Sequence, residues 1–378
     1  MGETIAMTKI VTGSGFGLAP TRTAQRNAVE KMLVDVLGQY GYQEVTLPLY
    51  EYADVLKTLT HNFHDEDAIS FIDRTSGKSL VLRPDFTPQV CRMVAAHYKD
   101  ISLPVRMFYR GSVFRNVIID QGAKAEKYHI GCELYGTKEL EGDRELFLCL
   151  KAALSCISLN FSLLVGDAAF LSRVAVLLGE KAPIYTEILK NKRLADLPGF
   201  TDGIKNSELK TLLKKLPMSF GGIKELDELA KLTSFDSVLL ERMAYVRTLF
   251  TEAIKYGLDE ESLIFDPSEV RGLDYYTGIN FEVIHKGGTV IAGGGRYNSL
   301  MDKLGLSLPA CGMALHLSDM EALAGLDTAL LPPDWIVVGA HNTAKAEELR
   351  REGFRVVQLF SETELEAYEH KESVKVYK

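Results

Sequence analysis

Tyr109-Arg110-Gly111-Ser112-Val113-Phe114-Arg115 runs into a polar loop, Asp120-Gln121-Gly122-Ala123-Lys124-Ala125-Glu126, and returns as Tyr128-His129-Ile130-Gly131-Cys132-Glu133. The flanking apolar positions extend this into two consecutive strands, Val105 to Arg115 and Lys127 to Gly136. Charged, aromatic and glycine residues stand on them where a half-buried strand would alternate apolar and polar. Three other stretches share that character: Leu82-Arg83-Pro84-Asp85-Phe86-Thr87, Val270-Arg271-Gly272-Leu273-Asp274-Tyr275-Tyr276 and Ala292-Gly293-Gly294-Gly295-Arg296-Tyr297. Singly, each has a plain structural explanation, an Arg–Asp cross-strand pair or a glycine bulge. Together they offer Arg83, Asp85, Arg115, Glu133, Arg271 and Tyr276 to one sheet face, as a polar pocket of the size of a zwitterion. Carboxylates there suit an ammonium or imidazole, arginines suit a carboxylate, and glycines admit a ligand close to the backbone.

Around these stretches the chain alternates helices and strands. Val29, Met32, Leu33, Val36, Leu37 and Tyr40 recur with helical spacing until Gly41. Gln43 to Leu47 reads as a strand stopped by Pro48, and Ile69 to Asp73 with Leu80 to Leu82 as a hairpin across Ser76-Gly77-Lys78. Thr87-Pro88 marks a helix start, with a hydroxyl able to cap. A helix around Leu146 to Ile157 and a strand Phe161 to Val165 follow. The region from about 168 to 262 is mostly helical, and strands return at Ile279 to Ile284 and Gly288 to Ala292. After Leu331-Pro332-Pro333 the tail reads strand, helix, strand and a last helix with Ser361 and Glu364 spaced as a capping box. The division expected is residues 1–325, carrying the helical insertion, and a short α/β segment over 326–378.

Composition excludes several classes of function. The chain has 378 residues, 43 Lys plus Arg against 51 Asp plus Glu, and a formal charge of −8. An acidic balance speaks against a protein built to grip nucleic acid by its phosphates. No apolar run approaches the roughly 18–20 residues of a membrane span, and no secretory leader is legible at the start. Five cysteines without a C-x-x-C pair indicate neither a disulfide framework nor a zinc site, and fit a reducing cytoplasm. His61-x-x-His64-Asp65 has ligand-like spacing but lacks a second cluster, so it reads as a surface loop and no metal is expected.

The four stretches, in this order and spacing, resemble the catalytic core of histidyl-tRNA synthetase, a class II aminoacyl-tRNA synthetase. Residues 21–50 resemble its dimer-forming motif 1, 105–136 its motif 2, and 271–276 and 292–297 its histidine-specific signatures, while 309–320 fall where motif 3 belongs. The resemblance implies an α+β fold, an antiparallel sheet flanked by helices. It also implies an L-histidine site made of Asp85, Thr87, Arg115, His129, Glu133, Arg271, Tyr275 and Tyr276. Strand alternation would turn Tyr276 to the pocket and Tyr275 to packing.

The departures from that pattern bear on function. Motif 3 supplies an arginine for the outer phosphates of ATP, in a pattern like glycine-leucine-glutamate-arginine-leucine. Here the same place reads His316-Leu317-Ser318-Asp319-Met320. At about 4 Å and an effective dielectric of about 20, one charge pair amounts to about 4 kcal/mol, and Asp for Arg turns attraction for phosphate into repulsion. In motif 2, Arg115 is kept, but Val117 replaces the usual glutamate and the loop lacks its further arginines. The residues after Pro333 are also about half of an anticodon-binding domain in length. This combination resembles the regulatory-subunit family of ATP phosphoribosyltransferase, which lacks synthetase activity. The resemblance implies no catalytic residue, no cofactor and no tRNA. It implies L-histidine as feedback effector, the short-form catalytic subunit as partner, a homodimer through the motif 1 region and a larger hetero-oligomer. The alternatives are a divergent ATP-dependent ligase that activates histidine, and a truncated synthetase.

Overall fold

The computed structural model describes residues 17–60, 66, 68–97, 103–117, 124–269, 275–326, 332–368 and 374–378. His61, His64, Asp65, the loop residues Asp120 to Ala123 and Arg271 lie outside the described residues.

The helical spacing near the start forms α1 (Pro20–Gln39), which buries Val29, Leu33, Val36 and Leu37. The strand expected over Gln43 to Leu47 shrinks to β1 (Gln43–Glu44). Pro48 lacks an N–H and cannot extend a ladder. Next come β2 (Tyr50–Tyr52), α2 (Ala53–Leu59), β3 (Ser70–Ile72) and β4 (Ser79–Leu82). The hairpin expected there exists, but β2 joins it to make a small sheet ordered β2-β4-β3. Tyr50, Phe71 and Ile72 of that sheet stay exposed.

After α3 (Thr87–His97) the long strands β5 (Val105–Phe114) and β6 (Glu126–Tyr135) pair antiparallel along their whole length, Gly111 opposite His129. Then come α4 (Glu139–Cys156) and β7 (Phe161–Asp167). Asp167 caps α5 (Ala168–Leu178) by accepting from the backbone N–H groups of Ala169 and Phe170. The helical insertion follows as α6 (Ala182–Lys190), α7 (Leu197–Asp202), α8 (Ser207–Lys215), α9 (Ile223–Leu232) and α10 (Ser237–Lys255). The chain returns through β8 (Leu263–Phe265), β9 (Ile279–His285), β10 (Val290–Arg296), α11 (Asn298–Lys303), β11 (Ala310–His316) and α12 (Leu317–Leu323).

The main sheet has eight strands in the order β1-β5-β6-β11-β10-β9-β7-β8. Its six inner strands are antiparallel neighbours, while β1 beside β5 and β8 beside β7 run parallel at the two edges. The antiparallel sheet expected is present in these six strands, with a parallel partner added at each margin. β11 is central yet illegible in the sequence, because Ala310-Cys311-Gly312-Met313-Ala314 is small and mostly buried, without polar alternation. β10 runs on through Gly293-Gly294-Gly295 to Arg296, where the glycines hide the period of two.

The described chain divides into two compact units, Arg26–Gly325 and Leu18–Gln25 with Leu326–Lys378. The second unit carries a parallel sheet of β12 (Trp335–Val338), β13 (Val356–Leu359) and β14 (Lys375–Tyr377) with α13 (Thr343–Arg351) and α14 (Glu362–Ala367). Its core joins Ile336, Val338 and Leu365, and Trp335 packs on Val337, Ala346 and Leu349. Half of the capping box forms as expected: Ser361 Oγ accepts from the Glu364 N–H, whereas the Glu364 carboxylate accepts from the N–H of Phe360. Among the described residues no helix is long and apolar enough to cross a membrane.

Candidate functional site

A cavity of about 270 Å³ opens over β6, β9, β10 and β11, next to the turn that leads into α3. Asp85, Thr87, Arg115, His129, Tyr275 and Tyr276 line it, so six of the eight residues expected at a ligand stand together. Arg271 lies outside the described residues. Glu133 sits behind the wall, fully buried.

Its carboxylate is held from two sides. The Thr87 hydroxyl donates to Oε1 at 2.7 Å, and the Tyr297 hydroxyl donates to Oε2. The hydroxyl of Thr87, at the start of α3, is therefore turned to Glu133 and does not cap its helix; Asp85 Oδ1 accepts from the Thr87 N–H at 3.2 Å. The other oxygen of Asp85 accepts from the Tyr275 hydroxyl at 2.9 Å. Tyr275 and Tyr276 have ring centroids 4.9 Å apart and both face the cavity. The strand alternation expected to part them does not operate, because neither tyrosine lies in a strand. Tyr275 also belongs to the apolar core around Val90 and Met107, so it packs and reaches the cavity at once.

Arg83 does not join the pocket. Its guanidinium donates to the carbonyls of Ser112, Leu47 and Pro48 and lies 3.8 Å over the Phe86 ring, which stacks on Tyr109. It ties the β4–α3 junction to β5, and burial holds its pKa down at about 10.

At the other end His129 stacks on His316 with centroids 4.6 Å apart. Burial holds His129 well below the usual imidazole range, helped by His316, Arg115 and Lys127, and burial pushes His316 down to about 4. Both rings are neutral at physiological pH. The His316 Nδ1–H donates to the Val290 carbonyl, while His129 Nε2 is shielded from solvent without a hydrogen-bond partner. Arg115 is the one cation among the described lining residues, set against Asp85 and Glu282.

Asp319, in the stretch compared above with motif 3, lies in the first turn of α12. It forms an ion pair with Lys127 at 3.0 Å, and the neighbouring Ser318 Oγ accepts from the Tyr128 N–H at 2.7 Å. Lys127 is thus engaged by the protein's own carboxylate. Tyr297, His316, Glu282 and Gly312 join the site although the sequence reading gives none of them a ligand role, Tyr297 and His316 being quoted there only within longer stretches. The signal that marks them is glycine in central strands. A Cβ on Gly312, opposite Glu133 in the β11–β6 register, would collide with Glu133 Oε2.

Burial pushes the Glu133 carboxyl up to about 8, only partly countered by its hydrogen bonds from Tyr297 and Thr87, and the charge of Asp85 adds to the rise. The folded chain therefore keeps a proton that the unfolded chain gives up near 4.5, so stability falls as pH rises between those values, by up to about 1.4 kcal/mol per unit. His129 and His316 act in the opposite sense only below about 6.5, where an unfolded histidine starts to charge. Urea unfolding between pH 6.5 and 8 should therefore show a decline in the wild type, and a nearly flat profile in Glu133→Gln, whose amide cannot ionise. Parallel profiles would refute the neutral carboxyl.

A family model described as histidyl-tRNA synthetase matches residues 16–320. The ATP phosphoribosyltransferase regulatory subunit of Thermoanaerobacter pseudethanolicus is 31% identical over 352 residues, spanning 89% of this chain and 90% of that protein. The protein of the same name from Desulforamulus reducens is 30% identical over 376 residues, 93% and 92% of the two chains. A Bacillus halodurans crystal structure, described as an ATP phosphoribosyltransferase regulatory subunit/histidyl-tRNA synthetase, superposes with a TM-score of 0.82 at 23% identity over 98% of both chains. That likeness bears out the α+β class II synthetase-like fold. With the synthetase family model covering most of its length and curated relatives at this identity, the chain belongs to the ATP phosphoribosyltransferase regulatory subunit family, the paralogues of histidyl-tRNA synthetase.

Proposed function

We propose that this chain is a non-catalytic regulatory subunit of ATP phosphoribosyltransferase, acting in the cytoplasm in histidine biosynthesis. It is required for activity of the short catalytic subunit and conveys feedback by L-histidine held in the cavity. The observation that carries this reading is the contrast between the two ends of the site. Asp85, Thr87, Tyr275 and Tyr276 form a polar, aromatic wall for a small zwitterion, with Arg115 as counter-charge, while Asp319 occupies Lys127 where ATP phosphates would need a free cation. A volume of about 270 Å³ lies just below the roughly 300–1,000 Å³ of pockets that take drug-sized ligands, and is matched to an amino acid more closely than to an adenylate. Arg271 belongs to the proposed histidine contacts by its match to the family signature. Glu133 takes part as the buried group that orients Thr87 and Tyr297.

The same reading has the chain dimerise through the motif 1 region and join the catalytic subunit in a larger hetero-oligomer. The exposed Tyr50, at the end of that region, with the exposed Phe71 and Ile72 of the same small sheet, supports a contact there. Effector binding would then act on the partner through different affinities for its active and inactive states.

The test pairs two measurements on the full chain. L-Histidine should bind in calorimetry, and histidine-dependent ATP–pyrophosphate exchange should stay at background. Robust exchange would make the chain a histidine-activating ligase and overturn the regulatory reading.

A further inference from the structure

The hydroxyls of Thr87 and Tyr297 stand between two neighbours, the fully buried carboxyl of Glu133 on one side and the main cavity on the other. A hydroxyl has one hydrogen to give and two lone pairs with which to accept. An ionised carboxyl only accepts, so both hydroxyls turn their hydrogens to it and show the cavity lone pairs alone. A neutral carboxyl gives its own proton to one of the two, and that hydroxyl is free to turn its hydrogen to the cavity. The charge of a group behind the wall thus sets the hydrogen-bond polarity of the wall.

The surroundings of Glu133 keep both states within reach. Burial pushes up the thiols of Cys91 on α3, Cys132 on β6 and Cys311 on β11, and the phenols of Tyr109 on β5 and Tyr135 on β6. It does the same to Tyr275, Tyr276 and Tyr297, so all of these groups stay neutral. Asp85, just before α3, brings negative charge, and Arg115 lines the same cavity. Burial, joined by the charge of Asp85, holds the Glu133 carboxyl at about 8, close enough to neutrality for a ligand to move it. An ammonium has hydrogens and no lone pair. Set against Asp85, Thr87 and Tyr297 it can bond only to lone pairs, and its charge favours the ionised carboxyl behind them. Polarity and charge act in the same direction.

We propose that Glu133 couples effector binding to pH: the ammonium of L-histidine, seated against Asp85, Thr87 and Tyr297, drives the carboxyl proton of Glu133 into solvent, so that binding tightens as pH rises. This rests on L-histidine occupying the main cavity. Glu133 is then a positioning residue that acts through Thr87 and Tyr297. The free chain gives up the proton only near 8 and the bound chain at lower pH, so each unit below 8 weakens binding by up to about tenfold.

The experiment is calorimetry on the full chain with L-histidine from pH 6.5 to 8, in phosphate and in Tris. The dissociation constant of the wild type should fall by about tenfold across that range, and the enthalpies in the two buffers at pH 7 should differ by the equivalent of nearly one released proton. Glu133→Gln, whose amide cannot ionise, should lose both effects; titration of the ligand itself is common to the two proteins. Tyr297→Phe takes one donor from the carboxylate and should move the pH profile upward, which keeps the test open if Glu133→Gln does not fold. A constant independent of pH, a profile that Glu133→Gln shares with the wild type, or an unmoved profile in Tyr297→Phe would overturn the proposal and leave L-histidine as the ligand. Absence of binding at every pH would overturn the reading beneath it as well.

Discussion

Arg296→Met is expected to lower the free energy of unfolding by about 3–5 kcal/mol, the effect of removing one partner from a buried ion pair. Arg296 and Asp143 are almost wholly enclosed, with side chains 1% and 0% exposed. The guanidinium reaches Asp143 Oδ1 through Nε at 3.0 Å and Nη2 at 2.7 Å, and Nη2 also donates to the Glu139 carbonyl at 3.1 Å. The Tyr245 hydroxyl, from α10 of the helical insertion, donates to the other oxygen of Asp143. The pair thus fastens β10 to α4 and α4 to α10. Burial already pushes the Asp143 carboxyl up to about 6 against the pull of Arg296. Without the arginine it rises further, and protonation relieves the isolated charge. The loss should accordingly be smaller at pH 5.5 than at pH 8 in urea unfolding. Asp143→Leu with Arg296→Met should recover most of it, since removing both charges leaves no buried charge unpaired. A loss under about 1 kcal/mol, the range of exposed pairs, would show that the pair contributes little.

Gly312→Ala should be nearly as damaging, and it should also strike the site. The added methyl would overlap Glu133 Oε2 and come within 2.7 Å of the Cys132 carbonyl. The backbone of the paired β6 cannot retreat, so the Glu133 carboxyl must leave its bonds from Thr87 and Tyr297. Overpacking costs about 1–3 kcal/mol and a displaced buried acceptor about 1–3 more, which puts the loss on the order of 4 kcal/mol. L-Histidine affinity should fall by more than about tenfold in calorimetry, because Thr87 then loses the group that orients it. Gly38→Ala is the control: it lies in α1 with nothing near its added carbon, and should stabilise by about 0.5–1 kcal/mol. Wild-type stability and binding in Gly312→Ala would mean that the strands have room the close approach denies.

The site is legible wherever a residue's role follows from its own neighbourhood in the chain. Asp85 and Thr87 sit at a marked strand-to-helix junction, Arg115 and His129 flank one loop between long strands, and Tyr275 and Tyr276 are adjacent. Periodicity finds α1 and the alternating elements of the tail, because each shows one face to water and one to a core, whereas β5 and β6 are found from the apolar positions that flank the polar stretch.

What the amino-acid order leaves open is which of two plausible tasks a polar residue performs. Arg83 and Arg115 look alike along the chain, yet one is spent on three backbone carbonyls and the other lines the cavity. Glu133 reads as a direct ligand contact, but its partner Tyr297 lies 164 positions away, as Tyr275 lies 190 from Asp85. The order of the chain by itself determined the fold family and the membership of most of the cavity. Only the tertiary structure decided that Glu133 stands behind the wall, that Lys127 answers Asp319, and that Arg296 is a buried clasp. The physical reason is that central strands covered on both faces lose the alternation that betrays them, and buried polar groups are assigned by partners that only packing brings within reach.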